Sequence, residues 1–238
     1  MRYIPTTALV IASALAAVAA DQAPPKGPHA FRKILFLGNS ITRHGPKQDI
    51  GWSGNWGMAA SSKDKDYVHL VTRGLTGEGG PAPDTLVKNI AAFERGYGTY
   101  DAAAQLDDAA AFDADLIILA IGENVAAPTD AASKAQLSQA VVKLLRALAA
   151  NRTPAILVRS CFWANPAKDE ALKTACLEVG GTFVDIGALG KDETNQARAE
   201  RSFEHEGVGA HPGDKGMRAI ADAILEGIAN RQQRKAQR

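Results

Sequence analysis

The sequence contains Ile34-Leu35-Phe36-Leu37-Gly38-Asn39-Ser40-Ile41-Thr42, an apolar run of strand length that ends in a Gly-Asn-Ser turn. Small residues let a chain turn sharply, and in open α/β sheets ligands bind at the carboxyl ends of the strands. The pattern therefore predicts a buried strand that carries the Ser40 hydroxyl at its carboxyl end. Ser40 is a candidate nucleophile, although the same residues are ordinary turn chemistry and Ser40 alternatively caps the next helix.

Two further motifs combine an apolar segment with a polar turn or a histidine. Residues 116–121 form a second apolar run, which opens into Gly122-Glu123-Asn124. Near the C-terminus, His211-Pro212 precedes an apolar helical pattern. In this order the three motifs resemble those of the SGNH hydrolases, the GDSL-type esterases, and the resemblance extends over about residues 33–230.

The resemblance implies a serine hydrolase mechanism that needs no cofactor. Ser40 attacks an ester carbonyl, and His211 takes the hydroxyl proton, because neutral imidazole is the side chain suited to that task at neutral pH. Negative charge then develops on the carbonyl oxygen and needs preorganised hydrogen-bond donors. The family pattern assigns this role to the Ser40 N–H, the Asn124 amide and a backbone N–H after the second strand, which falls at Glu94.

The sequence departs from the family pattern at two positions. Glu94 stands near the place of the usual glycine, where a carboxylate directed inward opposes an oxyanion. Val208 stands three residues before His211, where the family usually has an acid. Two ways of orienting His211 stay open: Glu206 completes a triad, or a backbone carbonyl orients the imidazole of a Ser-His dyad. Asp214 is a further alternative, but its position is more typical of a helix N-cap.

Between the motifs, apolar strand-like runs alternate with helical patterns, which is typical of a parallel sheet covered by helices on both faces. We predict an α/β fold with three layers, α/β/α, and a flavodoxin-like five-stranded parallel sheet in the order 2-1-3-4-5. This order brings Ser40, Glu94 and Asn124 together at one edge of the sheet. The predicted strands lie near residues 33–37, 85–90, 115–121, 155–159 and 182–185. The predicted helices lie near residues 58–75, 102–112, 133–150, 168–179 and 214–231.

The N-terminal residues indicate export from the cytoplasm. Residues 1–20 have a positive start at Arg2, an apolar stretch and a small-residue cleavage site, as in a signal peptide. The predicted organisation is a signal peptide at 1–20, a linker at 21–32, an SGNH hydrolase domain at 33–230 and a basic tail at 231–238. The mature protein is then secreted or periplasmic, without stable membrane insertion, because the apolar stretch is shorter than the roughly 20 residues that span a bilayer. The net charge of +1 gives no indication of nucleic acid as a partner.

A glycine-rich segment that contains Trp52 and Trp56 follows the candidate nucleophile. Tryptophans beside an active site provide platforms for a sugar ring or an acyl group, and this predicts a substrate-binding role. The alternative, that both rings pack the loop onto the body of the protein, stays open. Trp163 follows the fourth predicted strand and is expected at the same mouth. His44 is close enough to Ser40 in the sequence to contact substrate.

Cys161 and Cys176 are the only cysteines of the chain. In an oxidising compartment we predict a disulfide between them, worth about 3 kcal/mol in the chain-entropy model, and the alternative is two buried free thiols. No metal site is predicted, because the candidate ligands do not have a standard zinc spacing. Those ligands are His205, Glu206, His211 and Asp214.

Together these features predict a secreted serine esterase that removes acyl groups, with acetyl as the first choice, from a carbohydrate or another small ester. A lipase, lysophospholipase or thioesterase is the alternative within the same chemistry. An alternative of a different class is a non-catalytic carbohydrate-binding protein on an SGNH scaffold, which the departures near Glu94 and His211 keep open. The fold alone does not decide between these functions. The oligomeric state has no signal in the sequence.

Overall fold

The computed structural model describes residues 31–76, 80–150 and 152–237. The signal peptide predicted at residues 1–20, and all but the last two residues of the predicted linker, lie outside the described residues.

A five-stranded parallel sheet in the order β2-β1-β3-β4-β5 forms the middle layer. This order and the helices on both faces confirm the predicted fold class. The central strands are buried on both faces, which is why they consist of continuous apolar runs. The strands are β1 (Lys33–Gly38), β2 (Asp84–Asn89), β3 (Leu116–Ala120), β4 (Ala155–Arg159) and β5 (Thr182–Val184).

Helices cover both faces of the sheet. They are α1 (Tyr67–Leu75), α2 (Ala91–Gly96), α3 (Ala102–Gln105), α4 (Asp107–Ala111), α5 (Ala131–Leu148), α6 (Pro166–Glu178), α7 (Glu206–Gly209) and α8 (Asp214–Ala236). Short 3-10 turns occupy Gln48–Ile50, Lys63–Lys65, Leu189–Lys191, Glu193–Asn195 and Ala197–Ala199. The predicted basic tail continues α8 as far as Ala236.

Strand β1 shows how the core is divided between the two faces. Because successive side chains of a strand point to opposite faces, Leu35 and Leu37 pack in the cluster that contains α5 and α6. Ile34 and Phe36 pack in the cluster that contains α1 and α8. Both clusters hold the carboxyl ends of β1 and β3 rigidly at the same edge of the sheet.

The helix predicted over residues 58–75 begins only at Tyr67. Asp66 explains the late start, since its carboxylate caps α1 by accepting from the His69 N–H and also accepts from the Gly57 N–H. Ala59 has a positive φ of 71°, which no helix tolerates. The segment before Tyr67 is therefore a loop that is tied back onto the helix it precedes. The short helices α2 and α7 were not predicted.

The predicted disulfide is wrong: Cys161 and Cys176 are buried, free thiols. Helix α6 runs antiparallel to β4, and the Cys176 thiol lies beside Gly181 and the backbone of Val158 in that strand. Cys161 comes three residues after Val158, roughly 10 Å further along at about 3.3 Å per residue. That separation exceeds the reach of a disulfide, which requires Cα atoms within about 7 Å. Burial is the main cause that raises the pKa of both thiols.

Candidate active site

Ser40 lies in a tight turn directly after β1. The Asn39 carbonyl accepts from the Thr42 and Arg43 N–H groups at 3.0 and 2.9 Å, so the chain reverses there. Gly38 has no room for a side chain, because an added Cβ would lie 1.8 Å from Thr42 Oγ1 and 2.7 Å from the Ala120 carbonyl oxygen. This close approach of β1 to β3 is what presents the Ser40 hydroxyl at the edge of the sheet.

His211 contacts Ser40 from the loop between α7 and α8. Its Nε2 lies 2.8 Å from Ser40 Oγ, and its Nδ1 lies 2.6 Å from the Gly207 carbonyl oxygen. A carbonyl oxygen only accepts hydrogen bonds, so Nδ1 carries the hydrogen of the neutral ring. Nε2 is then the acceptor and receives the Ser40 O–H, which is the arrangement that a general base needs.

Burial is the largest influence on the pKa of His211 and lowers it below the ordinary value. The Gly207 carbonyl and the negative charge of Glu123 act in the opposite direction, whereas His44 and His205 add to the lowering. The net lowering keeps the imidazole neutral near pH 7, and a neutral ring is able to accept a proton.

Glu206 does not orient His211, which corrects the predicted triad. The carbonyl oxygen of Gly207, the next residue, accepts from His211 Nδ1, and the Glu206 side chain is exposed at the start of α7. The physical reason is the short helix itself, whose turn places the Gly207 carbonyl four residues before His211 and directs the Glu206 carboxylate to solvent. Asp214 is also occupied elsewhere, since it accepts from Ser61 and Lys65.

We therefore expect the Glu206→Gln variant to keep kcat and KM within about threefold of the parent enzyme, because no proton-transfer partner is lost. Steady-state kinetics with p-nitrophenyl acetate check this. A fall in kcat of about a hundredfold or more, the size of a lost general acid-base contribution, would restore Glu206 as the third member of a triad.

Asn124 follows β3 at the same sheet edge as Ser40. Its Nδ2 donates to Glu94 Oε2 at 2.6 Å, and among the described residues no other group accepts from this nitrogen. An amide nitrogen carries two hydrogens, so one is left for a substrate oxygen. The Ser40 N–H likewise has no acceptor within the described part of the chain.

The Glu94 backbone N–H is not a free oxyanion donor, and this part of the prediction is wrong. It donates to the Ile90 carbonyl at 3.3 Å, because Glu94 lies inside α2, whose first turn uses that carbonyl. The Glu94 side chain is buried, with 1% of its surface exposed. The Glu94 backbone is therefore occupied within α2, and its side chain is what faces the end of β3.

A second buried carboxylate, Glu123, lies beside the first. It pairs with the fully buried Arg159 at 2.7 Å and accepts from Asn39 Nδ2 at 2.6 Å and from the Phe162 N–H at 2.9 Å. Burial opposes its charge, but Arg159 and the donors outweigh burial and hold the pKa of Glu123 below its ordinary value. Sequence reasoning missed Asn39, Glu123 and Arg159 as parts of the site. An arginine at the end of an apolar strand was the available signal, since a buried charge requires a partner.

Trp163 lies against His211, and its predicted place at the mouth of the site stays a prediction. Its ring packs edge-on against the His211 ring, with centroids 5.3 Å apart, and 37% of its surface is exposed. Trp163 is thus available both to His211 and to a bound substrate.

Trp52 and Trp56 pack against each other with centroids 5.6 Å apart. Their indole N–H groups donate to the His44 and Ala60 carbonyls, and Trp52 is buried, so both rings hold the glycine-rich loop together. They also line a cavity of about 460 Å³ beside this loop. Other residues lining the cavity are Arg201, Phe203 and Glu204. A binding role for Trp52, Trp56 and His44 stays a prediction.

Within residues 31–76, 80–150 and 152–237, no three histidine, cysteine or carboxylate side chains form a group that holds a metal ion. No helix in that part of the chain is long and apolar enough to cross a membrane.

The sequence profile of the GDSL-like Lipase/Acylhydrolase family matches residues 36–219. The chain therefore belongs to this family, and the protein is a serine ester hydrolase. Comparison with curated protein sequences gives no significant match.

Solved structures with a similar fold include two proteins described as GDSL-like lipases. The one from Bacteroides ovatus is 14% identical, with a TM-score of 0.53, and the match covers 85% of this chain and 100% of that chain. The one from Bacteroides uniformis is 14% identical, with a TM-score of 0.52 and coverage of 84% and 96%. An acetyl xylan esterase from Butyrivibrio proteoclasticus is 16% identical, with a TM-score of 0.50 and coverage of 87% and 65%. At these identities the likeness shows the fold alone.

Proposed function

We propose that the protein removes short acyl groups, acetyl first, from a carbohydrate or another small ester by a Ser-His mechanism. The observation that carries this proposal is the 2.8 Å contact between Ser40 Oγ and His211 Nε2, with Nδ1 held by the Gly207 carbonyl. A base that is already oriented toward a serine hydroxyl is the arrangement that activates the hydroxyl as a nucleophile.

The reaction proceeds in two halves. Ser40 Oγ attacks the ester carbonyl carbon while its proton passes to His211 Nε2, and the tetrahedral intermediate collapses when the alcohol leaves with that proton. Water then attacks the acyl-Ser40 carbonyl and gives a proton to His211. Collapse of the second intermediate returns this proton to Ser40 Oγ and releases the carboxylic acid. The Gly207 carbonyl keeps the imidazole in one tautomer through both halves.

The substrate class rests on the surroundings of the dyad. The Trp163 ring lies beside His211, and we infer that it limits the space for the acyl group, which favours acetyl over a long chain. The exposed part of that ring offers aromatic surface to a sugar. The cavity lined by Trp52 and Trp56 is a separate one, whose lining contains neither Ser40 nor His211. A structural neighbour that is an acetyl xylan esterase is consistent with this choice. The signal-peptide pattern of residues 1–20 supports a secreted or periplasmic location, where such polymers are encountered.

Purified mature protein is assayed with p-nitrophenyl acetate, butyrate and octanoate, and then for acetate release from a panel of acetylated glycans. We expect kcat/KM to be highest for acetate and free acetate to accumulate from at least one glycan. A preference for octanoate favours the lipase alternative. Binding to deacetylated glycan without any hydrolysis supports a non-catalytic role instead.

The Asn124→Ala variant is expected to lose about 100- to 1,000-fold in kcat, because one oxyanion donor disappears, while KM changes little. Steady-state kinetics on p-nitrophenyl acetate measure both constants. Asn230→Ala is the matched control, since Asn230 is exposed on α8, away from the sheet edge. A change confined to KM would make Asn124 a substrate-binding residue rather than an oxyanion donor.

A further inference from the structure

Glu94 is a buried carboxylate without a cationic partner. None of the described lysine, arginine or histidine side chains pairs with it, yet it accepts from four donors. These donors are Asn39 Nδ2 at 3.1 Å, the Gly122 N–H at 2.6 Å, the Asn124 N–H at 3.2 Å and Asn124 Nδ2 at 2.6 Å. Three of these donors share Oε1 and the fourth contacts Oε2, so the number of donors equals the roughly four lone-pair positions of a carboxylate.

The four hydrogen bonds do not explain, by protein stability alone, why a carboxylate is buried at position 94. Taking a charge out of water is costly, and such groups often contribute less than apolar residues of the same volume. A glycine or an apolar residue at this place would avoid that cost. The position of the carboxylate between the ends of β1 and β3 points instead to a role in the site.

The hydrogen bond to Glu94 fixes the orientation of the Asn124 side-chain amide. A carboxylate offers only lone pairs, so the amide must present its nitrogen to Glu94 Oε2. The flipped amide would place two acceptor oxygens 2.6 Å apart. Since the backbone N–H of Asn124 donates to the other oxygen of Glu94, both the main chain and the side chain of Asn124 are held by one group.

Asn39, the neighbour of Ser40, depends on Glu94 much less than Asn124 does. Asn39 Nδ2 also donates to Glu123 at 2.6 Å, and Asn39 Oδ1 accepts from the Ile41 N–H at 3.1 Å. Asn39 therefore retains partners when Glu94 is changed, whereas Asn124 Nδ2 loses the only acceptor that the described residues give it.

We propose that Glu94 is a positioning residue that holds the Asn124 amide with one N–H free for the developing oxyanion. This role rests on the proposed esterase function. Glu94 takes no part in proton transfer and contacts no substrate. It fixes in advance the donor that the transition state needs, so that the amide does not have to be reoriented during the reaction. Because a misplacement of about 1 Å costs roughly 100-fold, loss of this anchor has a large effect on kcat.

The Glu94→Gln variant tests the proposal because it keeps the volume of the side chain. A carboxamide has one acceptor oxygen and directs two N–H hydrogens at groups that are themselves donors. We expect kcat for p-nitrophenyl acetate to fall about 10- to 100-fold, with KM within about threefold of the parent. In the Asn124→Ala background, Glu94→Gln should lower kcat by a further factor of less than about three. The reason is that the residue through which Glu94 acts is already absent.

Asp115→Asn is the matched control at the opposite edge of the sheet. The Asp115 carboxylate accepts from the Arg32 and Lys33 N–H groups at 2.8 and 2.9 Å and pairs with Arg152. We expect this change to lower the midpoint of thermal unfolding while kcat stays at the parental value. If Glu94→Gln fails to fold, Glu94→Asp replaces it, since the shorter side chain keeps the charge but withdraws from Asn124; the same fall in kcat and the same lack of additivity are expected.

Two results would overturn the role of Glu94: a parental kcat in the folded Glu94 variant, or losses that multiply fully in the double variant with Asn124→Ala. In both cases the parent enzyme still hydrolyses the ester, so the proposed function stands. A parent enzyme that hydrolyses neither p-nitrophenyl acetate nor any acetylated glycan contradicts the proposed function first and the positioning role with it.

Discussion

Replacing Ser40 by alanine is expected to abolish ester hydrolysis and to leave the fold intact. The hydroxyl contacts His211 Nε2 and takes no part in the turn, which is held by the Asn39 carbonyl and the Asn39 side chain. Among the described residues, Ser40 is the one hydroxyl or thiol group hydrogen-bonded to His211. We expect kcat to fall by at least about 10,000-fold, since removal of the nucleophile leaves only binding and oxyanion stabilisation.

Ser62→Ala is the matched control for the Ser40 variant. The Ser62 hydroxyl donates to Asp64 in the loop before α1, and its loss does not touch the site. Equal thermal unfolding midpoints for the parent and Ser40→Ala show that the fold is retained. Substantial hydrolysis by folded Ser40→Ala would mean that another residue is the nucleophile.

Replacing His211 by glutamine is expected to lower kcat by at least about 1,000-fold, because the amide keeps much of the bulk of the ring but accepts no proton. The loss should appear in kcat more than in KM, since the base acts on the reacting hydroxyl. Kinetics on p-nitrophenyl acetate, with circular dichroism as the check on folding, measure the effect. A folded variant with parental kcat would remove His211 from the mechanism.

The pH profile of the parent enzyme tests how His211 is oriented. Below its pKa the imidazole is protonated and accepts no proton from Ser40, so kcat/KM rises as pH increases through that pKa. Burial lowers the pKa of His211, and the inflection is therefore expected below about 6.5, the ordinary value for imidazole. A carboxylate in contact with Nδ1 raises the pKa instead. An inflection above 7, shifted down in Glu206→Gln, would support the triad over the dyad.

The fold and the closeness of Ser40 and Asn124 at one sheet edge were predictable because their signals are local. Strands buried on both faces must be apolar throughout, so residues 34–37 and 116–121 identified β1 and β3. In a parallel sheet with this order the carboxyl ends of these strands are adjacent, which placed Ser40 near Asn124. His211 was found from the resemblance to the SGNH hydrolases, since no periodicity brings a late loop to this edge.

The remaining parts of the site depend on groups that leave little trace in a sequence. Gly207 orients His211 through its carbonyl oxygen, which every residue type possesses. The sequence pattern assigned Glu94 a backbone role, but four donors from the ends of β1 and β3 hold its carboxylate in the site. The disulfide prediction relied on compartment and spacing, whereas the antiparallel course of α6 separates Cys161 from Cys176.

Covalent labelling tests whether Ser40 is a nucleophile that His211 activates without a third residue. The parent protein is treated with a p-nitrophenyl phosphonate, digested, and examined by mass spectrometry to locate the adduct. We expect a single adduct on Ser40 in the parent and in Glu206→Gln, none in Ser40→Ala, and strongly slowed labelling in His211→Gln. An adduct on another residue of the active parent enzyme, or undiminished labelling of Ser40 in folded His211→Gln, would contradict this mechanism.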